Sequence, residues 1–108
     1  MSKTTKFFLT YIITKNEEEA LTLANLAVEK NLAACGNIFP KMKSIYKWQN
    51  KLLNDKETLL ILKTNSKKYS SLEKLILEKH SYEVPCILKI PISNGNREYL
   101  KWIDQSLI

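Results

Sequence analysis

The stretch ACGNIFPKMKSIYKW at 34–48, followed by QNK and then LLNDKETLLILKT at 52–64, decides how this chain folds. Ile38, Phe39, Ile45, Tyr46 and Trp48 give the first run an extended character, and Pro40 inside it demands a bulge or an edge position. Gln49-Asn50-Lys51 reverses the chain, and the return run ends in the apolar series Thr58 to Thr64, the mark of a buried strand. The pattern predicts a long hairpin. About 14 residues per arm, at roughly 3.3 Å each, reach about 45 Å. A compact chain of 108 residues has a radius of gyration near 13 Å. The far end must therefore project from its own core, and Tyr46 and Trp48 near its tip call for a partner subunit to cover them.

Outward from the hairpin, Phe7 to Thr14 is aromatic, β-branched and nearly continuous in its apolarity, as in a central strand. Asn16 offers a side-chain oxygen to a helix start, Glu19 stands three residues on as in a capping box, and Glu17 to Glu19 lie at the positive end of the dipole. Ala20, Leu23, Ala24, Ala27 and Val28 form a narrow small-residue face for close packing on a sheet, until Asn31 offers a left-handed cap. After the hairpin, Asn65 or Ser66 caps a second helix lined by Tyr69, Leu72, Leu75 and Ile76, which stops near Lys79 or His80. Cys86 to Ile92 reads as a fourth strand whose Pro91 marks its end. Asn96 caps a terminal helix bearing Tyr99, Leu100, Ile103 and Leu107, with Trp102 on an adjoining side. The order is βαββαβ plus a last helix. Right-handed crossovers turn it into an α+β ferredoxin-like sandwich, four antiparallel strands with two helices on one face, in a single domain over 1–108.

Lys plus Arg number 17 against 11 for Asp plus Glu, a net charge of +6. That balance suggests anionic partners. Arg97 is the sole arginine, however, and bidentate reading of phosphates or guanine edges is guanidinium work, so sequence-specific DNA recognition is disfavoured. Cys35 and Cys86 form no Cys-x-x-Cys motif and suit a reducing cytoplasm as small buried hydrophobes. Lys3 and Lys6 before Phe7–Ile13 imitate a signal peptide. The apolar run is short and charged residues follow it, so a soluble, unprocessed cytoplasmic protein without a membrane span is expected.

Several strings stand in the order found in one family: Lys30-Asn31-Leu32-Ala33-Ala34-Cys35 with Asn37, Ser44-Ile45-Tyr46-Lys47-Trp48, Glu57 to Thr64, His80-Ser81-Tyr82-Glu83-Val84-Pro85, and Gly95-Asn96 followed by Tyr99-Leu100-Lys101-Trp102. From about Phe7 to the carboxyl end the chain closely resembles the CutA divalent-ion tolerance proteins. The resemblance implies a ferredoxin-like subunit related in fold to the PII nitrogen-signalling proteins. It further implies a homotrimer built through the long hairpins and a link to tolerance of copper and other divalent metals. Ser81, Cys86 and Asn50 depart from the family's usual proline, glutamate and glycine. Ile12 stands where some members proposed to bind copper carry a cysteine, so one soft ligand is missing unless Cys86 faces the same pocket.

His80 is the only histidine, so no site of several imidazoles forms within one chain. In the trimer that the resemblance implies, His80, Glu57 and Glu83 from the same or neighbouring chains could hold Cu(2+) or another divalent ion weakly, with water completing the shell. The competing structural roles are His80 capping the second helix and Glu57 pairing with a lysine such as Lys63. Tyr46, Trp48, Lys63, Tyr82 and Glu83 fall in the family-like strings. Aromatic walls with a few polar groups describe a small-ligand cleft between subunits, against the alternative of plain interface packing. Neither cysteine has an activating neighbour and a lone histidine leaves little acid–base capacity, so the chain is not expected to be an enzyme. A nucleic-acid-binding module of the same element order is the alternative. Thr58 to Thr64 lacks the glycine–aromatic pattern of an RNA-stacking strand, which counts against it.

Overall fold

The computed structural model describes residues 5–108, so Lys3 and the first residues of the expected domain lie outside the described residues. The elements run β1 (Phe7–Thr14), α1 (Glu17–Glu29), β2 (Cys35–Trp48), β3 (Lys51–Asn65), α2 (Tyr69–Lys79), β4 (Ile87–Ile92) and α3 (Arg97–Ser106). The strands form one antiparallel sheet in the order β2-β3-β1-β4, the ferredoxin-like arrangement. Phe8, Thr10, Ile12 and Thr14 of β1 and Thr58, Leu60, Leu62 and Thr64 of β3 are buried on one face. Leu23, Leu72, Leu75 and Ile76 from α1 and α2 close the core there.

The expected small-residue face of α1 is buried at Ala20, Leu23, Ala24 and Ala27, while Val28 is exposed. It allows close approach: a Cβ added at Gly36 on β2 would lie 3.0 Å from Leu62 Cδ2 and 3.2 Å from Ala24 Cβ. Asn16 Oδ1 accepts from the Glu19 amide at 2.8 Å, and Glu19 Oε1 accepts from the Lys15 amide at 3.0 Å, so the capping box forms one residue wide of its usual pairing. At the other end Asn31 takes φ 57°. The Leu32 amide donates to the Ala27 carbonyl and the Asn31 amide to that of Val28, a Schellman cap. Asn65 Oδ1 accepts from the amides of Lys67 and Lys68, capping the turn that feeds α2, and its amide group donates to Asp104 on α3. Asn96 caps α3 as expected, accepting from Tyr99.

The hairpin dominates the shape, with principal extents of 52 × 25 × 21 Å and a radius of gyration of 15.0 Å. Gln49 and Asn50 both have positive φ, the backbone of a two-residue type I′ turn. Pro40 lies on an edge strand at a bulge, where the register passes from Phe39↔Leu59 to Met42↔Glu57 and Lys41 adopts φ 61°. Pro91 does not end β4 but pairs with Phe8 inside it, tolerated because β4 is the other edge. α3 covers one end of the sheet's second face, where Ile103 and Leu107 pack with Ala34 and Phe7. Tyr99 stays exposed instead of joining that contact. Cys35 and Cys86 are free and half-buried, less enclosed than expected. No helix among the described residues is long and apolar enough to cross a membrane.

Candidate functional site

Beyond the bulge, odd-numbered residues of β3 and even-numbered residues of β2 share the sheet face opposite α1 and α2. Glu57 is paired with Met42, Asp55 with Ser44 and Leu53 with Tyr46. At the root of the projecting arm this face and the 80–86 loop enclose a concavity of about 460 Å³, lined by Tyr46, Asp55, Glu57, Tyr82 and Cys86 with Ile13 and Val84. The Tyr46 hydroxyl donates to Asp55 Oδ2 and the Tyr82 hydroxyl to Glu57 Oε2, the latter at 2.6 Å. Each carboxylate is thus oriented by a phenol.

The titrations follow from that pairing. The hydrogen bond to Asp55 raises the Tyr46 phenol above its ordinary value. Burial raises that of Tyr82 further, with the hydrogen bond to Glu57 and the charges of Glu57, Glu19 and Asp55 adding to it. Burial and the Glu57 charge also push the Cys86 thiol up.

His80 stands at the C-cap of α2, its amide donating to the Ile76 carbonyl at 2.8 Å, and its side chain is fully buried. Nε2 lies 2.7 Å from the Ile13 carbonyl oxygen and Nδ1 accepts from the Tyr82 amide at 3.0 Å. A carbonyl oxygen can only accept, so the proton sits on Nε2 and the imidazole is neutral. Neither ring nitrogen keeps a free lone pair. Glu19 Oε2 is 3.9 Å from Nδ1 and accepts from the Ser81 amide at 2.8 Å.

Of the residues expected to build the site, Tyr46, Glu57 and Tyr82 meet in the concavity, and His80 adjoins it through Tyr82 and the Ile13 carbonyl. Trp48, Lys63 and Glu83 are not brought there within one chain. Trp48 sits at the tip opposite Lys51, and Glu83 is exposed. Lys63 lies six residues from Glu57 on β3, about 20 Å along an extended strand. The expected Glu57–Lys63 pair does not form: Glu57 takes the Tyr82 hydroxyl, and Lys63 Nζ donates to the Tyr99 hydroxyl at 3.1 Å. Among the described residues no group of three or more His, Cys, Asp or Glu could hold a metal ion. Ile12 is fully buried in the core under the helices, whereas Cys86 lines the concavity beside Ile13, so Cys86 does not stand in for a ligand at position 12. Sequence reasoning missed Asp55 and Glu19. The i, i+2 spacing of Asp55 and Glu57 on a strand was the available signal for the first.

A ferredoxin-like domain with a phenol–carboxylate cleft at the root of a long projecting hairpin defines a class of small α+β domains. The family described as CutA1 divalent ion tolerance protein matches residues 8–106, and the chain belongs to that family. It is 43% identical over 95 residues to the divalent-cation tolerance protein CutA of Thermus thermophilus, covering 88% of this chain and 92% of that protein. It is 38% identical to the chloroplastic protein CutA of Arabidopsis thaliana, covering 97% of this chain but only 58% of that longer protein. The crystal structure of CutA1 from Oryza sativa superposes with a TM-score of 0.92 at 36% identity, covering 99% of this chain and 98% of the other. The periplasmic divalent cation tolerance protein CutA from Archaeoglobus fulgidus gives 0.89 at 40% identity, covering 94% and 99%.

Proposed function

We propose that this chain is the subunit of a homotrimeric binding module that serves tolerance to divalent cations, copper among them, by taking up a ligand at the root of its hairpin without turning it over. The observation that carries this reading is the arm. Trp48 is 62% exposed on one of its faces, while Ile45 and Leu52 are 66% and 74% exposed on the other. An arm with exposed apolar side chains on both faces calls for cover on each, and a closed ring of three supplies it. In that assembly a neighbouring arm would bring its Trp48 toward Tyr46 and Tyr82, and other copies would add Lys63 and Glu83 to complete an intersubunit cleft.

The donors within one chain do not fit a tightly held metal, since His80 is committed on both nitrogens and no group of three or more His, Cys, Asp or Glu comes together among the described residues. They fit a loosely held, largely hydrated divalent ion resting on the Glu57 carboxylate, with further oxygen donors from a neighbouring copy. The names of the relatives support a divalent cation as the ligand class.

Sedimentation equilibrium tests the assembly, with an expected mass near three times 12.6 kDa and a single-chain mass overturning it. Native mass spectrometry of the assembly with Cu(2+), Zn(2+) and nucleotides tests the ligand. Copper adducts that weaken in Glu57→Gln support the reading, and adducts unchanged by that substitution overturn it.

A further inference from the structure

His80, Tyr82 and Glu57 form a continuous relay. The imidazole accepts the Tyr82 amide, its ring packs 4.9 Å from the Tyr82 ring, and the Tyr82 hydroxyl holds Glu57 in the cleft. Nδ1 can accept the amide only while it carries no proton. A proton placed there would set one N–H against another in a fully buried position, and the carboxylate within reach among the described residues is Glu19, whose Oε2 lies 3.9 Å away.

The groups that face His80 fix the direction of the change. Glu19 of α1 is acidic and already accepts the Lys15 and Ser81 amides. The Ile13 carbonyl of β1 anchors Nε2–H and accepts in either protonation state. The 80–86 loop contributes the Tyr82 amide and ring. Lys79 of α2 and Lys15 after β1 line the neighbouring groove around Glu19 and Ser81. Glu57 of β3 acts through the Tyr82 hydroxyl. Protonation therefore costs the Tyr82 amide its acceptor and draws Nδ1–H toward Glu19.

We infer that His80 is the positioning residue of the cleft: as a neutral imidazole it fixes Tyr82, and through Tyr82 the Glu57 carboxylate, and its protonation releases Tyr82 and disorders the cleft. This rests on the reading of the cleft as the binding site, but the relay can be observed without any ligand. The single histidine gives one imidazole signal in nitrogen–proton correlation spectra of the intact assembly. The expected result is the Nε2–H tautomer at about pH 8. The Tyr82 amide resonance should then move with the same midpoint as the imidazole on acidification, while its exchange protection falls about tenfold, the worth of one hydrogen bond. His80→Gln, which keeps a donor for Ile13 and an acceptor for Tyr82 without titrating, should abolish that pH dependence. An Nδ1–H tautomer, or a Tyr82 amide indifferent to protonation of the imidazole, would each overturn the inference. If the relay is observed but no copper binds at any pH, the ligand reading fails and the positioning role stands.

Discussion

Tyr46 hydrogen-bonds Asp55 although the two are not partners in the ladder: Tyr46 lies opposite Leu53, and Asp55 opposite Ser44. The contact is diagonal, a reach available to a long aromatic side chain on a twisted hairpin. It ties the arm to its root on the side where Glu57 and Tyr82 stand.

Asp55→Asn removes the charge that holds the Tyr46 proton, so that phenol should titrate closer to its ordinary value. Tyrosinate absorbance followed against pH should show one of the five tyrosines moving to lower pH. An unchanged curve would mean that the diagonal contact is not made in solution.

For Tyr82 the folded phenol is raised above its unfolded value of about 10, so its contribution to stability is complete below about pH 10 and is lost as pH climbs through the folded value. Tyr82→Phe should flatten the alkaline limb of the stability curve and cost about 1 kcal/mol at neutral pH through the stranded Glu57. Denaturant midpoints measured across the alkaline range check both.

Glu19 has the opposite sign. Burial alone would raise its carboxyl, but the Lys15 amide, the Ser81 hydroxyl and amide, and His80 together draw it below the usual range. Its contribution is complete above about pH 4.3 and is lost as pH falls through the lower folded value. Glu19→Gln should weaken the fold by about 1 kcal/mol near neutrality and leave a flatter acid limb. Equal slopes in variant and parent would refute the assignment.

Gly36 admits no side chain without movement of Leu62 or Ala24. Gly36→Val should destabilise by about 1–3 kcal/mol, read as a lower urea midpoint. The hairpin tip offers the converse, because Gln49 carries a side chain at φ 50° where the turn favours Asn-Gly. The double change Gln49→Asn and Asn50→Gly should raise stability by about 1 kcal/mol in thermal unfolding, and a loss would contradict the type I′ geometry.

The elements were legible because their signals are local: the Asn16 and Asn96 caps, the left-handed Asn31 and the bulge at Pro40 all fall where the residue types placed them. What stayed hidden depends on the third dimension. The bond from Nε2 of His80 to the Ile13 carbonyl joins residues far apart in the chain, so no spacing rule reveals that the one imidazole is already spent. Lys63 and Glu57 share a string and a sheet face, yet α3 captures the lysine through Tyr99, a contact decided by the packing of Ile103 and Leu107 at the far end of the sheet.

The extra residue at Pro40–Lys41 acts as a parity switch for the whole arm. Before it, the even positions Gly36 and Ile38 pair with Leu62 and Leu60 and look toward the helices; after it, the even positions Met42 and Tyr46 pair with Glu57 and Leu53 and look the other way. Alternation is thus written in two phases along one strand, and the aromatic side of the arm is chosen by a backbone insertion well before the aromatics themselves. Deleting Lys41 would leave every side chain of the outer arm in place by type and reverse all of them by face, moving Tyr46 out of the cleft without altering it.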